Sequence, residues 1–230
     1  MINGHSVAVI IPALNEESSI GYVLDEMPQE FDRIIVVDNG STDATAAIAS
    51  SKGAIVIREP QRGYGAACLR GIALLSDDPP DVVLFCDADR SDHPDDARVI
   101  ALSVCNGSAE MCIGSRVLGE RERGALTPQQ IFGNWLATTL IRLRWGTLYT
   151  DLGPLRAITW ALLTEMAMED RTWGWTVEMQ IKAARMNSVI LEVPARYRRR
   201  IGQSKISGTL IGSAKAGYKI LHTIGRYAIR

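Results

Sequence analysis

The sequence predicts an α/β domain with a mostly parallel central sheet and helices on both faces. Two observations predict it. Short, continuous apolar runs rich in β-branched residues alternate with helix-spaced apolar positions through the first half of the chain. Polar, acidic loops follow three of those runs directly. A continuous apolar run marks a strand buried on both faces. Strand–helix alternation of this kind builds a parallel sheet through right-handed crossovers.

Val7 to Ile11 is the first such run, and Ile20, Val23, Leu24 and Met27 then repeat at helical spacing. Ile34 to Val37 predicts a strand, and Ala44 to Ser51 a helix with Ser41 or Thr42 as its N-cap. Ala54 to Ile57 follows as a strand and Gly65 to Leu75 as a helix with Cys68, Ile72 and Leu75 on one face. Val82 to Cys86 is a strand, Asp95 to Val104 a helix and Glu110 to Ile113 a strand. Beyond this point the pattern is less regular. Ser115 to Thr127, rich in Gly, Glu and Arg, predicts a mobile loop. Helices are expected over Pro128 to Trp145, with Pro128 in the first turn, over Thr159 to Met168 and over Val177 to Arg185, and a strand over Val189 to Val193. With no repeat and no linker, the expected organisation is one domain, residues 1–207, carrying a C-terminal amphipathic helix, residues 208–230.

The 230 residues are 47% hydrophobic, enough to bury a sizeable core, and their formal charge is −1. No global field draws such a chain to nucleic acid, and no nucleic-acid partner is expected; a homodimer is compatible with the sequence. Cys68, Cys86, Cys105 and Cys112 make no C-x-x-C pair and have no zinc spacing, which suits a reduced, cytosolic setting. Met1 to Ser6 has no basic region leading into a long apolar run, so no signal peptide is expected. No run of about eighteen apolar residues predicts a membrane span. The expected location is cytoplasmic, with peripheral attachment to the cytoplasmic face of the membrane as the open question.

Ligands of open parallel sheets bind beyond the carboxyl ends of the strands. Three loops stand there: Pro12-Ala13-Leu14-Asn15-Glu16-Glu17, Asp38-Asn39-Gly40-Ser41-Thr42-Asp43 and Asp87-Ala88-Asp89. Residues two apart in extended chain point to one side, so Asp87 and Asp89 offer paired hard oxygen ligands of the kind Mg²⁺ or Mn²⁺ takes while also binding phosphates. The bland reading of the same pair is a turn or a helix N-cap. Asp38 and Glu16 are placed to accept hydrogen bonds from a base or ribose, whereas Asp43 reads as a first-turn structural residue. Arg62-Gly63-Tyr64-Gly65 permits tight backbone geometry near a ligand. It lacks the third glycine of a dinucleotide fingerprint and does not follow the first strand, which disfavours NAD.

As a set these segments, with Gly114-Ser115-Arg116, resemble family 2 glycosyltransferases of the GT-A fold, in the branch of dolichol- or polyprenyl-phosphate sugar synthases. The resemblance covers residues 6 to 207. It implies a hexosyltransferase using a UDP- or GDP-sugar, with inversion at the anomeric carbon. Pro12, Ala13, Glu16, Asp38 and Arg62 would bracket the nucleoside, and Asp87 would reach ribose or metal. Asp89 would hold the metal at the diphosphate, with Ser91 as a weaker ligand two positions on. Arg116 would face the acceptor phosphate, and Arg200 and Lys205 would close over the donor. The chain departs from relatives at Gln129-Gln130, where a second Arg is common, and at Gly153-Pro154-Leu155-Arg156, where Ser-Gly-Phe-Arg is common.

The acceptor decides the remaining chemistry. A phosphate monoester arrives ionised and needs cationic clamps, for which Arg116 and Arg156 are candidates. An alcohol needs a positioned carboxylate, and Asp151 and Glu178 are available. A catalytically inactive nucleotide-sugar-binding module is the non-enzymatic alternative. Lys215, Lys219, His222, Arg226 and Arg230 recur at steps of three or four, opposite a stripe of Leu210, Ala214, Gly217, Leu221, Ile224 and Ala228. That is the pattern of an interfacial helix meeting anionic lipid, or of a helix docked on the domain with a solvated basic face. Trp135, Trp145 and Trp160 are candidate lining for an acceptor groove.

Overall fold

The computed structural model describes residues 1–202 and 210–229, apart from the side chains of 210–214. Expectations for Lys205, Arg230 and the side chains of Leu210 and Ala214 lie outside the described residues. The first half runs β1 (Val7–Ala13), α1 (Ile20–Glu26), β2 (Arg33–Asp38), α2 (Thr45–Ser51), β3 (Ile55–Arg58), α3 (Tyr64–Leu75), β4 (Val82–Phe85), α4 (Pro94–Cys105) and β5 (Met111–Ser115). The second half runs α5 (Pro128–Trp145), β6 (Arg156–Thr159), α6 (Trp160–Met166), α7 (Trp175–Arg185), β7 (Ile190–Pro194) and α8 (Leu210–Ile229).

The strands form one mixed, mostly parallel sheet in the order β3-β2-β1-β4-β6-β5-β7. The β1–β2, β1–β4, β2–β3 and β5–β7 pairs are parallel, and β6 runs antiparallel to both β4 and β5. Alternate residues of β1 go to opposite faces, as the strand period requires. Ala8 and Ile10 join a core under α3, α5, α6, α7 and α8, while Val7, Val9 and Ile11 join a second core with α1, α2 and α4. Helices therefore cover both faces, and the four cysteines are buried and unpaired.

Four sequence expectations change. The strand β6 was unforeseen: it is four residues long and is recruited from the irregular half into the middle of the sheet. Neither Ser41 nor Thr42 caps α2; Ala44 occupies that position, and the Ser41 hydroxyl instead accepts from the Asn15 amide at 2.9 Å. The 115–127 loop is tied by backbone hydrogen bonds to the segment around Tyr197 and is not left free. At its end Thr127 and Gln130 form a reciprocal capping box on α5, a structural role for one of the two glutamines.

The fourth change concerns α8. Its packed face is Thr223, Ile224 and Tyr227, all buried, whereas Leu221 of the expected apolar stripe is exposed. Two members of the basic stripe turn to the domain: Lys219 pairs with Asp170 at 2.8 Å and Arg226 with Glu169 at 2.5 Å. The Tyr227 hydroxyl donates to Glu178 at 2.8 Å. Among the described residues no helix is long and apolar enough to cross a membrane.

Candidate active site

At the carboxyl ends of β1, β2 and β4 lies a cleft lined by Pro12, Ala13, Leu14, Glu16, Asn39, Arg62, Gly63, Tyr64, Ala67, Asp87, Ala88, Asp89, Thr172, Trp173, Arg200 and Lys219. All three acidic loops contribute to it. Phe85 ends β4, and Asp87 to Asp89 form a turn rather than continuing the strand, yet both carboxylates reach the cleft.

Each wall has a local cause. The Asp38 carboxylate accepts the Ser41 amide at 2.9 Å and so shapes its own loop; its neighbour Asn39, not Asp38, lines the cleft. Asn39 in turn donates to the Glu59 and Gln61 carbonyls and accepts the Gly63 amide at 2.7 Å, which fixes the Arg62 loop. The glycines of that loop admit a neighbouring segment. A Cβ on Gly63 would stand 2.0 Å from the Arg171 carbonyl oxygen, and one on Gly65 2.0 Å from that of Asp170. The close approach lets the Gly65 and Ala66 amides donate to Thr172 and Arg171, setting Thr172 and Trp173 against the cleft. We expect Gly65→Ala to push this wall away, lowering the melting temperature by ~2–10 °C and weakening nucleotide binding. Calorimetry with and without nucleotide checks both, and an unchanged melting temperature would contradict the packing argument.

Arg200 is delivered from the other side. Arg198 donates to Glu26 (2.6 Å), to the Arg90 carbonyl (2.7 Å) and to the Asp92 carbonyl (3.0 Å). The Ile201 amide donates to the Asp89 carbonyl at 3.0 Å. These contacts clamp the 198–201 segment onto the aspartate loop. The Arg200 guanidinium then lies 3.1 Å from Glu16 and 3.3 Å from Asp89. The other Asp89 oxygen accepts both the Ser91 amide (2.9 Å) and its hydroxyl (2.5 Å).

The charge of this loop suits a cation. Burial raises the Asp87 carboxyl to about 7, with the neighbouring Asp89 charge adding to the effect. Burial also raises Asp92, with Asp87 and Asp89 adding to it. Among the described residues no three His, Cys, Asp or Glu side chains form a closed metal cage. Two carboxylates at an open cleft are instead the sparse donor set of an ion that shares its coordination with phosphates.

Several expected residues stand elsewhere. Ser91 is fully buried behind Asp89 and does not line the cleft. Arg116 forms a two-pronged pair with Asp151, both bonds 2.7 Å, and lies over the Tyr197 ring. Arg156 is fully buried in β6 and donates to the Thr176, Leu152 and Gly153 carbonyls. Neither arginine lines the cleft. Asp151 is committed to Arg116, and Glu178 accepts the Glu169 and Asp170 amides and pairs with Lys182. Trp145 and Trp160 pack against the core, whereas Trp135 is exposed on α5. Sequence reading missed Asn39, Tyr64, Thr172, Trp173 and Lys219 as cleft residues. Asn39 and Tyr64 had a signal, since each lies in a loop already marked.

A mostly parallel sheet whose strand ends carry a cleft with paired aspartates and an arginine is the architecture of nucleotide-sugar transferases of the GT-A fold. Residues 8–189 match the model of glycosyl transferase family 2, and the chain belongs to that family. Over 213 residues it is 34% identical to an uncharacterized glycosyltransferase of Mycobacterium tuberculosis, covering 91% of this chain and 94% of the relative. It is 30% identical over 224 residues to an undecaprenyl-phosphate mannosyltransferase of Micrococcus luteus, covering 90% of each. It is 31% identical over 221 residues to a dolichyl-phosphate hexose transferase of Haloferax volcanii, covering 94% of this chain and 92% of that one. The same fold occurs in glucosyl-3-phosphoglycerate synthase of Mycobacterium tuberculosis, solved with Mn²⁺, UDP and glucosyl-3-phosphoglycerate. The TM-score is 0.76 at 22% identity, with 98% of this chain and 80% of that chain covered. The chain is thus a family 2 glycosyltransferase.

Proposed function

We propose that this protein transfers a hexose from a UDP- or GDP-linked donor to a polyprenyl phosphate, with Mg²⁺ or Mn²⁺ and with inversion at the anomeric carbon. The observation that carries the donor site is a buried orphan. The Nε of Arg200, a cleft residue, is shielded from solvent and has no hydrogen-bond partner among the described residues. Buried polar atoms are rarely left this way, and a bound polar ligand supplies the missing partner. Charge agrees. The cleft's Arg62, Arg200 and Lys219 face Glu16, Asp89 and an Asp87 carboxyl raised to about 7, so the lining offers at most about one net positive charge and a diphosphate calls for more.

A divalent cation, when bound, stabilises the negative charge that develops on the leaving diphosphate. Asp87 and Asp89 are the residues that would hold it. Arg200 is clamped where it can add a fixed positive charge without reorganising, and Pro12 and Ala13 offer an apolar wall to the base. For the acceptor, the commitment of Asp151 and Glu178 inside the fold weighs against an alcohol, which needs a free base. A phosphate monoester, with a second pKa near ~6, needs none. The relatives named for undecaprenyl and dolichyl phosphate support the lipid-borne acceptor. So do Ile131, Phe132 and Trp135, exposed together on α5. The homodimer allowed by the sequence finds no support in the comparisons.

The test is a thermal-shift panel of UDP, GDP and their hexose conjugates with and without Mn²⁺, followed by transfer to undecaprenyl phosphate or undecaprenol. One nucleotide family with Mn²⁺ should raise the melting temperature, and the phosphate alone should be glycosylated. Transfer to the alcohol instead would overturn the acceptor assignment.

A further inference from the structure

We propose that Lys219 of α8 is a ligand-contacting cation of the cleft, binding a phosphate oxygen of the nucleoside diphosphate. The inference rests on the donor reading above and extends it to a helix that neither the family match, which ends at residue 189, nor the sequence motifs include. Lys219 lines the same cleft as Asp87, Asp89 and Arg200. Its position is fixed from two sides. One turn further along α8, Thr223 donates to the Lys219 carbonyl at 2.9 Å, and Thr223 and Ile224 are buried against the domain. The ammonium itself lies 2.8 Å from Asp170 Oδ2.

Asp170 is a fixed counter-ion. Its Oδ1 accepts the Thr172 amide at 2.7 Å and the Thr172 hydroxyl at 3.0 Å. The carboxylate is 5% exposed, while the lysine side chain is 33% exposed at the open cleft. An ammonium has three donors, and Asp170 is its one partner among the described residues. Asp170 therefore orients the group and leaves donors for an anion entering the cleft. Arg200 and Lys219 reach the cleft from separate segments, which lets the diphosphate be held from two directions.

Titration calorimetry of UDP and GDP with Mn²⁺ tests this on the full chain and on Lys219→Gln, Lys219→Arg and Arg226→Gln. The last variant removes the other ion pair of α8 among the described residues, outside the cleft, and so reports helix docking alone. Lys219→Gln should weaken the diphosphate about tenfold, the cost of one charge-assisted hydrogen bond. Lys219→Arg should recover most of the loss, and Arg226→Gln should bind as the parent does. Unchanged binding by Lys219→Gln, or an equal loss in Arg226→Gln, overturns the contact while leaving the donor reading intact. A parent protein that binds neither UDP nor GDP overturns both.

Discussion

Asp89→Ala should lower metal-dependent release of nucleoside diphosphate from the donor sugar by about a thousandfold, since a lost ~4 kcal/mol of charge stabilisation corresponds to three factors of ten. The residue is 5% exposed, accepts Ser91 on one oxygen and meets Arg200 on the other, so its removal also frees its neighbours. Asp89→Asn separates the two effects. It keeps an oxygen for the Ser91 hydrogen bonds and loses the charge together with the acceptor that faces Arg200. Both variants should remain folded by circular dichroism, and both should lose the Mn²⁺ requirement together with turnover. Undiminished turnover in a folded Asp89→Asn protein would reject the assignment of this carboxylate to the cation.

Arg116→Ala should act on stability first. The partner Asp151 is 1% exposed on its side chain and accepts from the Arg116 amide as well as the guanidinium. Truncating the arginine leaves that carboxylate buried and unpaired, at ~3–5 kcal/mol. For a chain of this size that corresponds to a fall in melting temperature of ~6–20 °C. Replacing both partners with apolar residues of similar volume, Arg116→Met with Asp151→Leu, should restore most of it, because no lone charge remains. The double variant also tests the acceptor role that the resemblance implies. If it folds and transfers sugar at the parent rate, Arg116 serves the fold. If it folds, releases nucleotide and fails to glycosylate the phosphate, Arg116 serves the acceptor.

The departures from the resembled family have physical explanations in part. Gln130, one of the two glutamines near the place where the resemblance implies a second arginine, completes the cap of α5. Arg156 sits in the strand that separates β4 from β5, where its guanidinium binds backbone carbonyls. Nothing in the structure explains Gln129.

What the sequence by itself determined was local. Continuous β-branched runs specified β1, β2 and β4, helical spacing specified α1 and α3, and the chain leaving each strand end had to carry the polar loops. Asp87 and Asp89 were picked out as a pair on the assumption of extended chain; the chain turns there instead, and both residues still line the cleft. The tertiary structure alone decided what depends on pairing between distant segments. The β6 strand has only four residues and no periodicity to announce it, and it exists because β4 and β5 each offer it an open edge. Whether a charged side chain faces a ligand or a partner depends on what packs against it. Asp151 claims Arg116, the Asp170 and Glu169 amides claim Glu178, and α8 brings Lys219 to a cleft whose aspartates lie more than a hundred residues earlier. Charge type and spacing are written along the chain; a charge's counter-ion is a property of the folded contact.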